Sequence, residues 1–202
     1  FRDAMMKTME HLMSCGFSVR YGYAQSDEIS LLFDLRSDAF ERKTRKWLSI
    51  LAGEASSAFT LQIGKVGVFD CRLSEFPNTR LVVDYFRWRA EDASRNCLNS
   101  HCYWMLRKLG ESPNDATAKL SGLSKKAKHD LLFENSVNFN DLPEWQKRGF
   151  GICWEDFEKE GWNPILNEKV VANRRRLTHC LDLPVGKKYS EFIDDLCTTS
   201  SH

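Results

Sequence analysis

Residues 17–33, reading FSVRYGYAQSDEISLLF, leave the chain few ways to fold. Phe17 to Tyr21 alternates apolar and polar side chains, and Ile29 to Phe33 is a short apolar run. Both patterns predict strands, and the polar segment between them is a tight turn. The unit is therefore a β-hairpin with Ser26, Asp27 and Glu28 at or beside its tip. Acids are poor strand formers, and two adjacent carboxylates repel unless a cation accompanies them. Either the tip is solvated and merely acidic, as hairpin tips commonly are, or the pair holds a divalent cation for phosphate chemistry. The stretch by itself leaves both readings open.

The 202 residues are 42% hydrophobic and 28% charged, enough apolar material for a substantial core and too much for wholesale disorder. A formal net charge of +1 means that any affinity for nucleic acid must come from local patches. No apolar run approaches the roughly 18 residues of a membrane span, and no signal pattern opens the chain, so no membrane partner is expected. Cys15, Cys71, Cys97, Cys102, Cys153, Cys180 and Cys197 are odd in number and lack a C-x-x-C pair. That describes neither a disulfide framework nor a zinc ribbon, and reduced thiols in the cytoplasm are the expectation. Cys97, His101 and Cys102 have a spacing a metal could use, but no second ligand pair lies nearby. Met5, Met9 and Leu12 share a helix face with Phe1 and Met13 beside it, so the chain reads as starting mid-helix, a piece of something longer.

Beyond the hairpin, Ser37 or Asp38 is expected to cap a helix whose buried side is Phe40, Thr44, Trp47, Leu51, Ala55 and Phe59. Its first half carries Arg42, Lys43, Arg45 and Lys46, with Lys43 and Lys46 on one face. The cluster is either a solvated face or a cradle for a triphosphate whose metal sits on the two acids. Residues 65–73 predict a third strand. A long helix then runs from about Arg80 to Leu109, with one polar stripe made of Tyr85, Arg89, Asp92, Asn96, Asn99 and Tyr103. Arg, Asp and two Asn suit directed hydrogen bonds to a polyanion or another segment, or an internal Arg89–Asp92 pair.

Ser112-Pro113 opens a helix that stops at Gly122, and Ser124 opens another carrying Lys125, Lys126, Lys128 and His129. Residues 135–143 read as a loop. Gly149 to Trp154 predicts a fourth strand, Val170-Val171 a short one, and a terminal helix follows the loop at 184–188. Interleaved helices and hairpins predict an α+β fold, a sheet with helices on one face.

Several segments, in order, resemble the tRNA-His guanylyltransferase family: the hairpin YGYAQSDEISLLF, the basic helix with Phe40, Lys43 and Lys46, and the strand Phe69-Asp70-Cys71-Arg72. The same holds for the helix Asp84-Tyr85-Phe86-Arg87-Trp88-Arg89-Ala90-Glu91-Asp92, the segment 120–133 with Lys128 in its lysine position, Asn138-Phe139-Asn140, and Lys147-Arg148-Gly149. The resemblance implies a polymerase-palm, ferredoxin-like antiparallel sheet with helices packed on it. It divides the chain into a palm-like catalytic domain over 1–154 and an RNA-contacting C-terminal extension over 155–202.

It further implies 3′-to-5′ addition of nucleotides to the tRNA 5′ end, with two Mg²⁺ ions and ATP, GTP or other nucleoside triphosphates as substrates, in a homotetramer. By resemblance Asp27 and Glu28 are catalytic and metal-binding. Ser26, Lys43, Lys46, Asn96, Lys128, Asn138 and Asn140 meet the nucleotide, and Arg89, Lys147, Arg148, Arg174, Arg175 and Arg176 meet the tRNA 5′ end and acceptor stem. The family's other metal acid belongs to a D-G-R-x-F segment expected before Phe1. Where the eukaryotic enzymes carry H-I-N-N-L-Y-N, this chain has Ser94 to Ser100 with serine in the histidine position. That departure resembles the bacterial and archaeal branch, implying template-dependent 5′-end repair rather than tRNA-His-specific guanosine addition. A noncatalytic RNA-binding module and a palm-fold nucleotidyl cyclase are the rival classes, the latter disfavoured by the lack of a G-G-D-E-F-like turn.

Overall fold

Tyr21 and Tyr23 are almost wholly inaccessible, 0% and 1% exposed, because their strand is covered on every side. In the computed structural model, which describes residues 1–198, this strand, β1 (Val19–Gln25), lies inside a four-stranded sheet. On one side it pairs antiparallel with β2 (Glu28–Phe33). On the other side runs β3 (Phe150–Asn163), followed by its antiparallel partner β4 (Glu168–Cys180). The fold is α+β, as the interleaving of helix and hairpin signals predicts. The last four residues of the expected 155–202 extension lie outside the described residues.

The chain divides into two units. The first takes in Phe1–Glu75, Gly151–Cys180 and the chain from Leu196. Here α1 (Arg2–Leu12) buries Met5, Thr8, Met9 and Leu12. It lies close on β1 because Gly22 has no side chain: a Cβ there would stand 2.6 Å from the Met9 sulfur. The helix α2 (Thr44–Ile63) buries Trp47, Leu51, Ala55, Ala58 and Phe59 at 3.6-residue spacing, while Phe40 and Thr44, expected on the same buried side, are exposed because the chain before Thr44 is not yet α-helical. A register shift between Val19 and Tyr21 makes Arg20 the extra residue of a β-bulge.

Four local expectations are corrected. Neither Ser37 nor Asp38 caps the long helix: a 3₁₀ turn (Ala39–Arg42) intervenes, with Phe40, Glu41 and Arg42 at φ of 53 to 55°, and α2 starts at Thr44 with no side-chain cap. Residues 65–73 are not a strand. Thr60 Oγ1 takes both the N–H and the carbonyl of Gly67, at 3.1 and 3.2 Å, and Ser56 Oγ accepts from Phe69 N at 2.9 Å. Helix hydroxyls thus satisfy backbone groups that a ladder would otherwise have used. The fourth strand does not stop at Trp154, nor is its partner limited to Val170-Val171. Their ladder runs from Gly151↔Cys180 to Asn163↔Glu168. Charged residues hid the strands because both faces of a projecting two-stranded ribbon meet water.

The second unit comprises Phe76–Phe150 and Leu181–Asp195. Its axis is α3 (Thr79–Lys108), started by the Asn78 side chain accepting from Leu81 N. Against it lie α4 (Pro113–Leu120), capped by Ser112, α5 (Lys125–Glu134), capped by Ser124, and α6 (Glu144–Arg148). Cys97, Leu98, Cys102, Leu106, Ala116, Leu120, Leu132 and Phe139 form their shared core. The terminal helix α7 (Lys187–Thr198) buries Tyr189 and Ile193.

Candidate active site

The turn between β1 and β2 is as tight as the hairpin pattern requires: Gln25 pairs with Glu28, leaving only Ser26 and Asp27 as the connection. Ser26 takes φ 54°, a left-handed conformation that a two-residue hairpin loop uses to match the twist of its strands. Ser26, Asp27 and Glu28 are all exposed. A hard divalent cation such as Mg²⁺ takes oxygen ligands and commonly binds through one or two carboxylates, leaving its other positions to water and phosphate. Asp27 and Glu28 fit that donor set. Among the described residues no group of three or more His, Cys, Asp or Glu converges on one point.

Lys43 and Lys46 stand elsewhere in the same unit. The indole of Trp47 packs 4.7 Å from the Phe33 ring and 5.2 Å from Phe17. The first turn of α2 is thereby seated at the end of the hairpin opposite its tip. From Glu28 to Phe33 the strand rises about 16 Å. Proximity in sequence suggested one shared site for the acids and the lysines, and the direction of β2 separates them. The same far end carries the arginines of β4. Arg175 lies over the Trp154 ring at 4.8 Å, and Arg176 lies over Phe157 at 5.1 Å and donates to Glu155 at 2.8 Å. Strand alternation puts Arg174 on the face of Arg176 and Arg175 on the other.

In the second unit the polar stripe of α3 meets α5 where Lys128 Nζ donates to Asn99 Oδ1 at 3.0 Å, and Asn96 lies one turn before it. Asn96 in turn donates to Asp92 at 3.1 Å, and Arg95 donates to the other oxygen of Asp92 at 2.9 Å. Arg89 lies beside the Trp88 ring at 5.2 Å. Asn138 closes its own turn, accepting from Asn140 N and donating to Asp141. Lys147 donates to the Asn140 carbonyl at 3.1 Å and pairs with Glu144, and its side chain is only 11% exposed. Arg148 spends its guanidinium on Glu144 and on the carbonyls of Leu183 and Pro184. Both are occupied within the fold.

Sequence reasoning passed over one cluster. Arg20 donates to Asp34 Oδ2 from Nε at 3.0 Å and from Nη2 at 2.6 Å. The other oxygen accepts the backbone N–H of Arg36 at 2.8 Å. Burial alone would raise the Asp34 pKa, but hydrogen bonds from the Arg36 side chain and backbone and from Arg20 outweigh it and hold the carboxyl well below the usual range. The signal was present in the hairpin itself: a charged residue opposite the end of β2, followed at once by an acid. Cys97 and His101 are no metal site: the thiol is buried in the second unit's core and its pKa is pushed up by desolvation to about 11, while His101 Nδ1 faces the Cys97 carbonyl at 2.9 Å.

Residues 1–77 match the family described as tRNAHis guanylyltransferase, and residues 80–180 match the Thg1 C terminal domain. A probable tRNA(His) guanylyltransferase of Mus musculus is 26% identical over 166 residues, 77% of this chain and 56% of the mouse protein. This chain thus spans about half the length of that relative. A bacterial tRNA(His) guanylyltransferase-like protein solved with ATP superposes with a TM-score of 0.70 at 27% identity, over 98% of this chain and 79% of the other. A bacterial protein of the same description solved with GTP gives 0.65 at 26% identity, over 98% and 78%.

Proposed function

Because the chain belongs to the tRNAHis guanylyltransferase family, we propose that it is a nucleotidyltransferase acting on the 5′ end of tRNA. The observation that carries the reading is the two-residue turn, which presents Asp27 and Glu28 side by side to solvent with Ser26 next to them. The reaction is template-dependent 3′-to-5′ addition, that is, 5′-end repair. Serine at position 94, where the eukaryotic pattern has histidine, and the similarity to bacterial guanylyltransferase-like proteins support this over guanosine addition specific to tRNA-His.

A tRNA 5′-monophosphate is a poor electrophile. Its oxygen first attacks the α-phosphate of ATP or GTP and releases pyrophosphate. The 3′-hydroxyl of the incoming nucleotide then attacks the activated 5′ phosphate and expels the nucleoside monophosphate. Positioning and charge stabilisation are most of what a protein contributes to such transfers. Asp27 and Glu28 would hold Mg²⁺, which when bound neutralises phosphate charge and aligns attacking and leaving oxygens. Ser26, with its backbone turned by the positive φ, lies within reach of a triphosphate on those acids. Lys128, held by Asn99, and Asn96 offer a second set of contacts to nucleotide or RNA, with Asn138 and Asn140 on the neighbouring turn. Lys43, Lys46, Arg89 and Arg174 to Arg176 serve RNA phosphates. The working form is a cytoplasmic homotetramer, which light scattering would count.

The test uses the full-length protein, Mg²⁺, labelled GTP and a 5′-monophosphorylated tRNA lacking its first nucleotide. Label is expected on the RNA with wild type and reduced on the order of 100-fold or more with Asp27→Ala. No label with wild type ends the proposal, and RNA binding without turnover would point to a noncatalytic module instead. Equal labelling of templated and untemplated ends would remove the repair assignment.

A further inference from the structure

At the end of the hairpin remote from Asp27 the first unit has a half-open cavity of about 270 Å³, lined by Arg20, Asp34, Arg36, Trp154 and Arg175 with Phe17 among its apolar walls. Val19 opens β1 beside it and Gln25 closes the strand at the tip, so the cavity is about 20 Å from the acidic turn by strand rise. Three arginines and a single carboxylate line it, in a chain whose whole formal charge is +1.

The three arginines differ in how firmly the fold holds them. Arg20 is framework: besides Asp34 it donates to the carbonyls of Leu196 and Cys197, at 2.9 and 3.2 Å, and its side chain is 13% exposed. Arg36 has a different status. Its side chain donates to Asp34 at 3.3 and 3.4 Å, longer than the Arg20 contacts, and is 65% exposed, so a phosphate can approach it from solvent. Arg175 is aimed by the Trp154 indole beneath it, whose Nε1 is fixed by donating to the Val19 carbonyl at 2.9 Å. Its nearest acid, Asp156, is 3.6 Å away with a side chain 82% exposed, a screened and weak partner. Arg42 and Lys43 just before α2, the latter paired with Glu41 at 2.9 Å, and Arg45 and Lys46 in its first turn bring further positive charge to this end, where Trp47 packs on the same Phe17.

We propose that this cavity is a second phosphate-binding site, which takes the phosphate of a nucleotide, free or within an RNA strand, between Arg36 and Arg175 with its sugar or base against Trp154. Guanidinium forks match phosphate oxygens in two directions at once, and an indole wall suits the flat or apolar remainder of a nucleotide. If the strand is the RNA substrate, the site rests on the function proposed above. It would then grip the RNA away from the reacting end.

The experiment is equilibrium binding to the full chain with EDTA present, which silences metal-dependent binding at the hairpin. The probes are 5′-GMP and an eight-nucleotide single-stranded RNA without a 5′ phosphate. The variants are Arg36→Ala with Arg175→Ala and, as the conservative pair, Arg36→Lys with Arg175→Lys, each checked by thermal melting. The alanine pair is expected to weaken RNA binding at least about tenfold and to lower the log–log salt slope by about 0.7, the value for one phosphate released on a single strand. The lysine pair should keep that slope. Weakening for GMP as well shows that one nucleotide suffices, and weakening for RNA alone assigns the phosphate to a strand. Either outcome supports the site. Unchanged affinity for both probes, or a wild type that binds neither, overturns it. Arginine-dependent binding in a protein that transfers no nucleotide would end the catalytic proposal and leave this site standing.

Discussion

Arg20 and Asp34, fourteen residues apart, meet because a β-bulge at the start of β1 turns Arg20 onto the acid that follows β2, with both guanidinium contacts falling on one carboxylate oxygen. The pair closes the end of the hairpin opposite the acidic turn. It is also where the first unit's stability should respond to acid.

Asp34 is an acid whose folded pKa is depressed. Its contribution is therefore complete above its unfolded value, about 3.9, and is lost as pH falls toward the folded one. Chemical denaturation should show wild type losing stability as pH drops below about 4. Asp34→Asn should cost about 2 kcal/mol at pH 7, since it leaves two arginines facing a neutral acceptor. The same substitution should flatten the acid limb of the profile.

Gly151→Ala tests how tightly β3 lies against its neighbour. A Cβ at Gly151 would sit 2.5 Å from the Tyr21 hydroxyl and 2.6 Å from its ring, and Tyr21 is 0% exposed with nowhere to retreat. Destabilisation of about 1 to 3 kcal/mol is expected from urea midpoints at unchanged m-value.

The acidic turn gives a different kind of test, one of backbone. Ser26 holds φ 54°, where a β-branched side chain is strained and asparagine is tolerated. Ser26→Val should lower stability by about 1 kcal/mol or more, and Ser26→Asn should remain within about 0.5 kcal/mol of wild type. Thermal melts of the two variants decide it.

Among the seven free thiols, Cys180 should be the first to react. A hydrogen bond from Cys153, whose sulfur is 3.9 Å away, favours the Cys180 thiolate and holds its pKa below the ordinary thiol range, even though burial opposes this. Burial raises Cys97 instead. Iodoacetamide labelling at pH 7 to 8, followed by peptide mass spectrometry, should modify Cys180 well ahead of Cys97. Cys153→Ser should keep a hydrogen bond to Cys180 and much of that preference, and Cys153→Ala should remove it.

Helices were the most legible part of the sequence, because their signals are local. Ser112 and Ser124 cap helices within the residues that follow them, and from Trp47 onward the buried face of α2 follows its own spacing. The hairpin was legible for the same reason: Gln25 and Glu28 are neighbours in the chain before they are partners in the sheet. The strand expected at 65–73 failed because two helix hydroxyls, Ser56 and Thr60, reach its backbone first. Nothing in the apolar pattern of Val66 and Val68 announces that, and both side chains face water. The long β3–β4 ribbon was hidden for the converse reason. Its residues are charged because both faces are wet, so periodicity had no buried side to reveal.

The sequence by itself determined the local chemistry of this protein: two carboxylates on a turn too short to bury them, a basic helix start, and an arginine run. Which of these share a place was decided by tertiary structure alone. β2 has a direction, and it carries the chain from Asp27 and Glu28 down to Phe33 before α2 begins. Lys43 and Lys46, close to the acids in sequence, therefore stand at the opposite end of the hairpin. There they join Arg20, Arg36 and Arg175, residues from three separate stretches that only the pairing of β1 with both β2 and β3, and of β3 with β4, brings to one cavity.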